Sequence, residues 1–250
     1  MSKLLYNKLN IFRLGCYCLL ISAIQNGLSL SEIIIYALSS FVVIFLTLPI
    51  HEWAHGFAST KLGDPTPRYQ GRLTLNPMAH IDWLGAAGIL FFGIGWAKPV
   101  QVNARYYKNP KWGMALVALA GPLSNIIVAF ISIFIYRILQ SVVLLTGVLA
   151  DNYTLLWVIS LFFVSIAQIN VHLAVFNLIP IPPFDGSRIL FTFLPQKYYF
   201  KIMRYERYIF LGILVLLYTG IFDAPISFLS DAVLNAILAF ATLPFKLLGV

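Results

Sequence analysis

Two histidines and a glutamate stand close together in a segment that is otherwise apolar. They are His51, Glu52 and His55, within residues 47–58, TLPIHEWAHGFA. On an α-helix, positions four apart lie on one face about one turn apart, so both imidazoles can bind one metal ion. Glu52 follows the first histidine and can act as a general base toward water without binding the metal, as in the HExxH pattern. The spacing therefore predicts a hydrolytic metal site.

The alternative interpretation is an interfacial helix end whose polar residues lie among lipid head groups. Placing Glu52 inside a membrane helix costs about 2.5–3.5 kcal/mol on insertion scales. The coincidence of this charge with the spacing of metal ligands favours the metal site. Pro49 is expected to kink the helix just before the motif, because its ring clashes with the carbonyl of Phe45.

A catalytic zinc site needs a third protein ligand. The chain has nine acidic residues; Asp151, Asp223 and Asp231 fall in connections across the membrane, and Glu206 falls in a basic loop. Asp64 has the context of a Gly-Asp-Pro turn after a helix. Asp185 lies in FNLIPIPPFDGSRIL, where prolines interrupt a long apolar helix. Non-helical backbone is tolerated at membrane depth only where it is buried in protein or lines a water-filled cavity. Asp185 is the predicted third ligand, because the distribution of basic residues places it on the same side of the membrane as His55. The alternative is that Asp185 lies in an ordinary loop.

The composition requires that these residues be positioned by a membrane protein. Of the 250 residues, 60% are hydrophobic and only 10% are charged, against about 25% charged in soluble domains. The net charge of +8 lies in short basic clusters between apolar runs, which fits cytoplasmic loops and anionic lipid better than nucleic acid. We therefore expect a lipid bilayer around the chain and no nucleic-acid partner.

Six apolar tracts follow the starting region, at residues 31–50, 81–96, 112–139, 153–181, 208–222 and 226–250. The predicted fold is an all-α polytopic membrane protein with about six transmembrane helices, a re-entrant segment and a small β-sheet on the cytoplasmic side. Residues 1–30 are expected to form an N-terminal span or a membrane-surface helix, and residues 31–250 a single membrane domain.

The basic residues predict the orientation. Lysine and arginine are absent from connections 26–31, 146–154 and 223–231 and are concentrated in the others. By the positive-inside rule the basic loops are cytoplasmic, and so are both termini. Tract 81–96 has basic flanks on both sides, is short and is broken by glycines, so it is predicted to enter and leave on one side. Arg137 is the exception and is expected to reach the interface by snorkelling.

Weaker signals lie around this segment. His80 could bind the metal, or hydrogen-bond to one of the metal ligands; the simpler interpretation is a histidine that hydrogen-bonds to backbone. His172 could be functional, or it could be a buried hydrogen-bonded histidine. Residues 72–75 (RLTL) and 99–102 (PVQV) alternate as strands do and predict the small sheet. Its edge could receive an unwound substrate, or both strands could be purely structural.

Five sequence blocks, in this order, resemble one known family: HEWAHG, GRLTLNPMAHID, GWAKPV, ALAGPLSN and NLIPIPPFDGSRIL. The chain is similar to the site-2 protease family of intramembrane zinc metalloproteases, in its short branch without a PDZ domain. The resemblance implies one zinc ion (Zn2+) per chain bound by His51, His55 and Asp185, with Glu52 activating the water. It also implies that Asn125, in the Gly-Pro-x-x-Asn block, handles substrate near the metal.

The resemblance extends the prediction to a substrate class. It implies a multi-pass protein of the cell membrane whose residues 31–250 form an intramembrane metalloprotease domain, with transmembrane proteins as substrates. Peptide bonds within or next to transmembrane segments would be hydrolysed. The alternatives are a polytopic metal transporter or metal-binding membrane protein, and a prenyl-protein endopeptidase, for which Glu206 in its basic loop is a poor third ligand. The sequence predicts no oligomeric state.

Overall fold

A computed structural model describes residues 28–92, 95–147, 153–195, 201–202 and 204–247. Most of these residues are helical. The predicted N-terminal span or surface helix at residues 1–30 lies, except for its last three residues, outside the described part of the chain. The coarse prediction of an all-α membrane protein is confirmed.

The helices are numbered here in chain order: α1 Leu30–Val42, α2 Leu48–Lys61, α3 Thr66–Tyr69, α4 Pro77–His80, α5 Trp83–Phe92, α6 Pro110–Thr146, α7 Tyr153–Asn177, α8 Asp185–Phe191, α9 Glu206–Tyr218 and α10 Asp223–Leu247. A π-helical turn, Val43–Thr47, joins α1 to α2, and a short 3-10 helix, Ala104–Tyr106, precedes α6.

Four helical stretches in the described ranges are long and apolar enough to cross a membrane, against about six predicted. They are Leu30–Lys61, Pro110–Val143, Thr154–Asn177 and Asp223–Leu247. The predicted crossing at residues 208–222 corresponds to α9, which has 13 residues. A helix of that length rises about 20 Å, less than the roughly 30 Å of bilayer hydrocarbon.

The α1–α2 helix continues into the metal-binding motif. Ser29 caps its start in a reciprocal pair with Glu32, whose carboxylate accepts from the Ser29 backbone N–H at 2.8 Å. Pro49 lies in the first turn of α2, directly after the π-helical turn. The wider hydrogen-bond pattern of that turn accommodates a proline that the sequence predicts to kink the helix.

The last helix runs in an unexpected direction. Just before α10 begins, Phe222 packs near Phe176 at the end of α7. Near its other end, Phe245 lies 5.6 Å from the ring of Phe134 and 5.6 Å from the Arg137 guanidinium, far along α6. The described end of α10, Leu247, therefore lies at the opposite end of the bundle from the motif. This does not fit a C-terminus on the side of the basic loops, and the reason is that α9 is too short to cross.

The glycine-rich tract 81–96 turns back as predicted. α5 occupies its centre, and Ile81 at its start forms an antiparallel bridge with Ala97 after its end. The two arms touch: a Cβ built on Gly85 would lie 2.0 Å from the Trp96 carbonyl oxygen. Only glycine allows backbones to approach this closely. The start and the end of the tract therefore lie side by side, which is the arrangement that a re-entrant segment requires.

The predicted sheet is not present in the described residues. Residues 72–75 and 99–102 are not strands, and the isolated bridge between Ile81 and Ala97 is the pairing that forms. Residues 98–103 belong to no helix or strand, but Val100 lies against α2 and Asn103 has extended backbone. Alternation in the sequence therefore did not indicate strand pairing at either stretch.

Candidate metal centre

Three side chains from two distant parts of the chain converge on one point. The Nε2 atoms of His51 and His55 are 3.0 Å apart, and each lies 3.3 Å from Oδ2 of Asp185. They form a group whose ligand atoms could hold one metal ion. Ligands arranged tetrahedrally about zinc at about 2.0 Å are separated by roughly 3.3 Å, so these distances fit that ion.

The two histidines are buried, and the Asp185 side chain is 17% exposed. The histidines are 6% and 8% exposed. Asp185 Oδ2 is buried and accepts no hydrogen bond in the described structure. A buried carboxylate oxygen without a donor is unfavourable unless a cation or a charged partner faces it. The group therefore has the unsatisfied acceptor that a metal ion would satisfy.

Both imidazoles are oriented by contacts to α6. His55 Nδ1 lies 2.7 Å from the carbonyl oxygen of Val117 and donates to it, because a carbonyl only accepts. His51 Nδ1 makes a longer contact of 3.4 Å with Oδ1 of Asn125. Hydrogen bonds at Nδ1 leave the Nε2 lone pairs facing the centre of the group, as in metal-binding histidines.

Gly121 on α6 makes room for the two rings. A Cβ at this position would lie 2.3 Å from His55 Nε2 and 2.6 Å from His51 Cε1. No larger residue fits without moving the imidazoles. The glycine therefore lets α6 pass directly behind the metal-binding atoms.

Asp185 reaches the histidines because the chain turns back after α7. It is the first residue of α8, and the preceding Phe184 packs against Phe176 with ring centres 4.3 Å apart. Burial alone would raise the pKa of the Asp185 carboxyl, but the His55 and His51 imidazoles hold that pKa well below its usual value. The turn after α7 thus brings Asp185 Oδ2 to the Nε2 atoms of both histidines.

Glu52 lies beside this group without joining it. It is 9% exposed, and its Oε2 accepts a hydrogen bond of 2.9 Å from the backbone N–H of Val100. Glu52 and the three converging residues line one cavity of about 470 Å3. Its other walls are largely apolar and include Trp96, Val100, Leu173, Phe176, Phe184 and Phe210. A carboxylate, a candidate metal site and an apolar channel therefore share one space.

The remaining sequence candidates lie elsewhere. His80 Nε2 is 2.8 Å from the carbonyl oxygen of Thr74, and His172 Nδ1 is 2.8 Å from that of Gln168. Both have the backbone hydrogen bonds of the simpler interpretation and are not in the metal-binding group. Glu206 lines the cavity but does not join that group either.

Asp64 lies in a turn after α2, as predicted, and is not part of the metal-binding group, but its burial was not predicted. The residue expected in an ordinary turn is 0% exposed. Its carboxylate accepts hydrogen bonds from Ser59 Oγ, Thr66 N and Asn103 N at 2.7, 2.9 and 2.7 Å. Burial raises the pKa of this carboxyl, but the hydrogen bonds from Thr66, Asn103 and Ser59 lower it below its usual value. The only sequence signal was a hydroxyl five residues earlier, which is too common to indicate a buried carboxylate.

Comparisons with known proteins agree with this geometry. The model of Peptidase family M50 matches residues 39–218. YwhC of Bacillus subtilis (strain 168), provisionally named a zinc metalloprotease, is 38% identical over 184 residues, covering 71% of this chain and 79% of that protein.

Two further relatives are more distant. A zinc metalloprotease of Methanocaldococcus jannaschii is 26% identical over 69% of this chain and 39% of its own length. Rip2 of Mycolicibacterium smegmatis, provisionally named a zinc metalloprotease, is 26% identical over 70% of this chain and 64% of its own length. No solved structure matches the chain significantly.

Proposed function

The chain belongs to Peptidase family M50, and from this premise we propose that it is an intramembrane zinc metalloprotease. It hydrolyses peptide bonds within or next to transmembrane segments of membrane proteins. One zinc ion per chain is bound by His51, His55 and Asp185. The observation that carries this proposal is the convergence of three ligand atoms, 3.0–3.3 Å apart, around a buried oxygen that has no hydrogen-bond donor.

The side chains divide the work of peptide hydrolysis. Zinc, when bound, supplies Lewis-acid chemistry that polarises a carbonyl and lowers the pKa of water to about 7. Glu52 takes the proton from the attacking water and returns it to the leaving amine. Its position directly after His51 on α2 brings its carboxylate beside the ligands while the Val100 N–H keeps it out of the ligand set.

Val117 and Asn125 complete the site from α6. The Val117 carbonyl fixes His55 in the tautomer with a free Nε2. Asn125 contacts His51, is 0% exposed, and its Nδ2 is buried without a hydrogen-bond partner in the described residues. Asn125 thus has a free donor beside the metal ligands, and we assign it to substrate handling as well as to orienting His51.

The surroundings favour substrates that are membrane proteins. Three of the four long apolar helices contribute residues to the cavity beside the site, and its walls are mainly apolar. The protein is then a multi-pass protein of the cell membrane, with its basic loops and the cavity mouth on the cytoplasmic side. No feature of the described chain favours metal transport, because the ligand atoms lie at a single level rather than along successive spans.

The test uses purified, detergent-solubilised protein, a zinc measurement and a model transmembrane peptide. Wild type is expected to contain about one zinc per chain and to cleave the peptide. Glu52→Gln is expected to retain zinc and to lose cleavage by about 100- to 10,000-fold, because only proton transfer is removed. Cleavage by Glu52→Gln at the wild-type rate contradicts the proposal, and so does zinc movement into liposomes with no cleavage.

A further inference from the structure

A backbone N–H, rather than a side chain, holds the Glu52 carboxylate. The Val100 N–H donates to Oε2 at 2.9 Å. Val100 is 9% exposed, and its Cγ1 lies 3.4 Å from where a Cβ on Gly56 would stand, one helical turn after Glu52. The segment that carries this N–H therefore lies directly on the surface of α2.

This segment, residues 97–103, is attached at both ends. At its start, Ala97 bridges Ile81, and the Lys98 N–H donates to the His80 carbonyl at 2.7 Å. At its end, the Asn103 N–H donates to Oδ2 of Asp64 at 2.7 Å. The hydrogen bond to Glu52 lies between these two attachments, so the place of the Val100 N–H depends on both.

Asp64 connects the segment back to α2. Ser59 Oγ donates to the same Oδ2 at 2.7 Å, and Ser59 lies two helical turns after Glu52. Both residues are 0% exposed. The contacts form a closed ring that runs from Glu52 along α2 to Ser59, then through Asp64 and residues 97–103 back to Glu52. A shift at Asp64 is therefore transmitted to the carboxylate.

We propose that residues 97–103 position the Glu52 carboxylate through the Val100 N–H, and that Asp64 is the positioning residue that sets the place of this segment. The inference rests on the proposed function of Glu52 as general base. A base must lie within about 2.6–3.2 Å of the proton that it takes. Anchoring Oε2 fixes the long, flexible glutamate and leaves Oε1 available to accept the proton.

The first experiment measures steady-state cleavage of the model transmembrane peptide by the zinc-loaded full chain. Asp64→Ala frees the end of the segment and is expected to lower kcat about ten- to a hundredfold, since small misplacements of a catalytic group cost this much. KM is expected to stay within about twofold of wild type and the bound zinc to stay unchanged.

Tyr107→Phe is the matched control. The Tyr107 hydroxyl lies 2.7 Å from Ser59 Oγ in the same buried cluster. Among the described residues it has no hydrogen bond to residues 97–103. This variant is expected to keep the wild-type kcat. Equal loss of kcat in Tyr107→Phe and Asp64→Ala would overturn the inference, because it would indicate general loosening of the cluster.

The second experiment measures amide hydrogen exchange in the full chain and does not depend on catalysis. The Val100 amide is expected to be protected in wild type and to exchange at least about tenfold faster in Glu52→Ala, with Lys98 and Asn103 unchanged. Equal exchange of Val100 in both proteins would overturn the inference.

The two proposals fail in different ways. If Glu52→Gln cleaves like wild type, the proposed function fails and this inference fails with it. If Glu52→Gln is inactive while Asp64→Ala keeps the wild-type kcat, only the positioning role of Asp64 fails.

Discussion

Two buried polar clusters are built on the same helix, α2, and they differ in what they lack. At the start of the helix, His51 and His55 direct Nε2 atoms at Asp185, whose Oδ2 receives no hydrogen bond in the described structure. At its end, the Asp64 carboxylate receives three hydrogen bonds, one of them from Ser59. Each cluster contains a buried carboxylate oxygen, but only that of Asp64 receives hydrogen bonds from the protein.

The difference separates function from folding. A carboxylate surrounded by N–H and O–H donors has its desolvation offset within the fold and stabilises the structure. A carboxylate that faces lone pairs requires a cation that the chain does not supply. Burial of an acidic residue alone therefore does not identify a metal site. The identity of its neighbours, donors or acceptors, decides between the two roles.

The largest effect is expected from Asp185→Ala. We expect bound zinc to be lost and peptide cleavage to fall more than about 1,000-fold, because a two-ligand site binds zinc weakly. Metal analysis and cleavage of the model transmembrane peptide measure these two quantities.

Asp231→Ala, which removes an exposed carboxylate on α10, is the control and should retain zinc and activity. Full zinc content in Asp185→Ala would remove the distinction between the two clusters.

Asp64→Ala should show the opposite pattern. It removes the acceptor of three donors, Ser59 Oγ, Thr66 N and Asn103 N, so we expect a loss of about 3 kcal/mol in the free energy of unfolding. Zinc content should remain that of wild type. Thermal unfolding in detergent, followed by metal analysis of the folded fraction, tests this; loss of zinc without loss of stability would contradict it.

A smaller effect is expected from pH. The pKa of Asp64 is lowered in the folded protein, so its stabilising contribution is complete above the unfolded value of about 3.9 and is lost as the pH falls through the folded pKa. The melting temperatures of zinc-free wild type and Asp64→Asn should differ by a constant amount from pH 7 to about pH 5 and converge below about pH 4. A difference that grows on acidification would exclude a lowered pKa.

Local patterns predicted much of the molecule from sequence alone. The spacing of His51 and His55 indicates a shared helix face, since helical periodicity involves only near neighbours. The close return of tract 81–96 was predictable from its glycines and basic flanks, which are also local features of the chain. Asp185 was predictable because acidic residues are so few in an apolar chain that each one can be considered in turn.

Other features were decided only by the tertiary structure. The Val100 N–H that holds Glu52 lies 48 residues away, and every residue except proline carries such a donor, so no side-chain pattern indicates it. The burial of Asp64 and the direction of α10 depend likewise on which segments pack together. Sequence determines local backbone preference and chemical identity, whereas hydrogen-bond partners across the chain depend on the relative positions of whole helices, which packing sets.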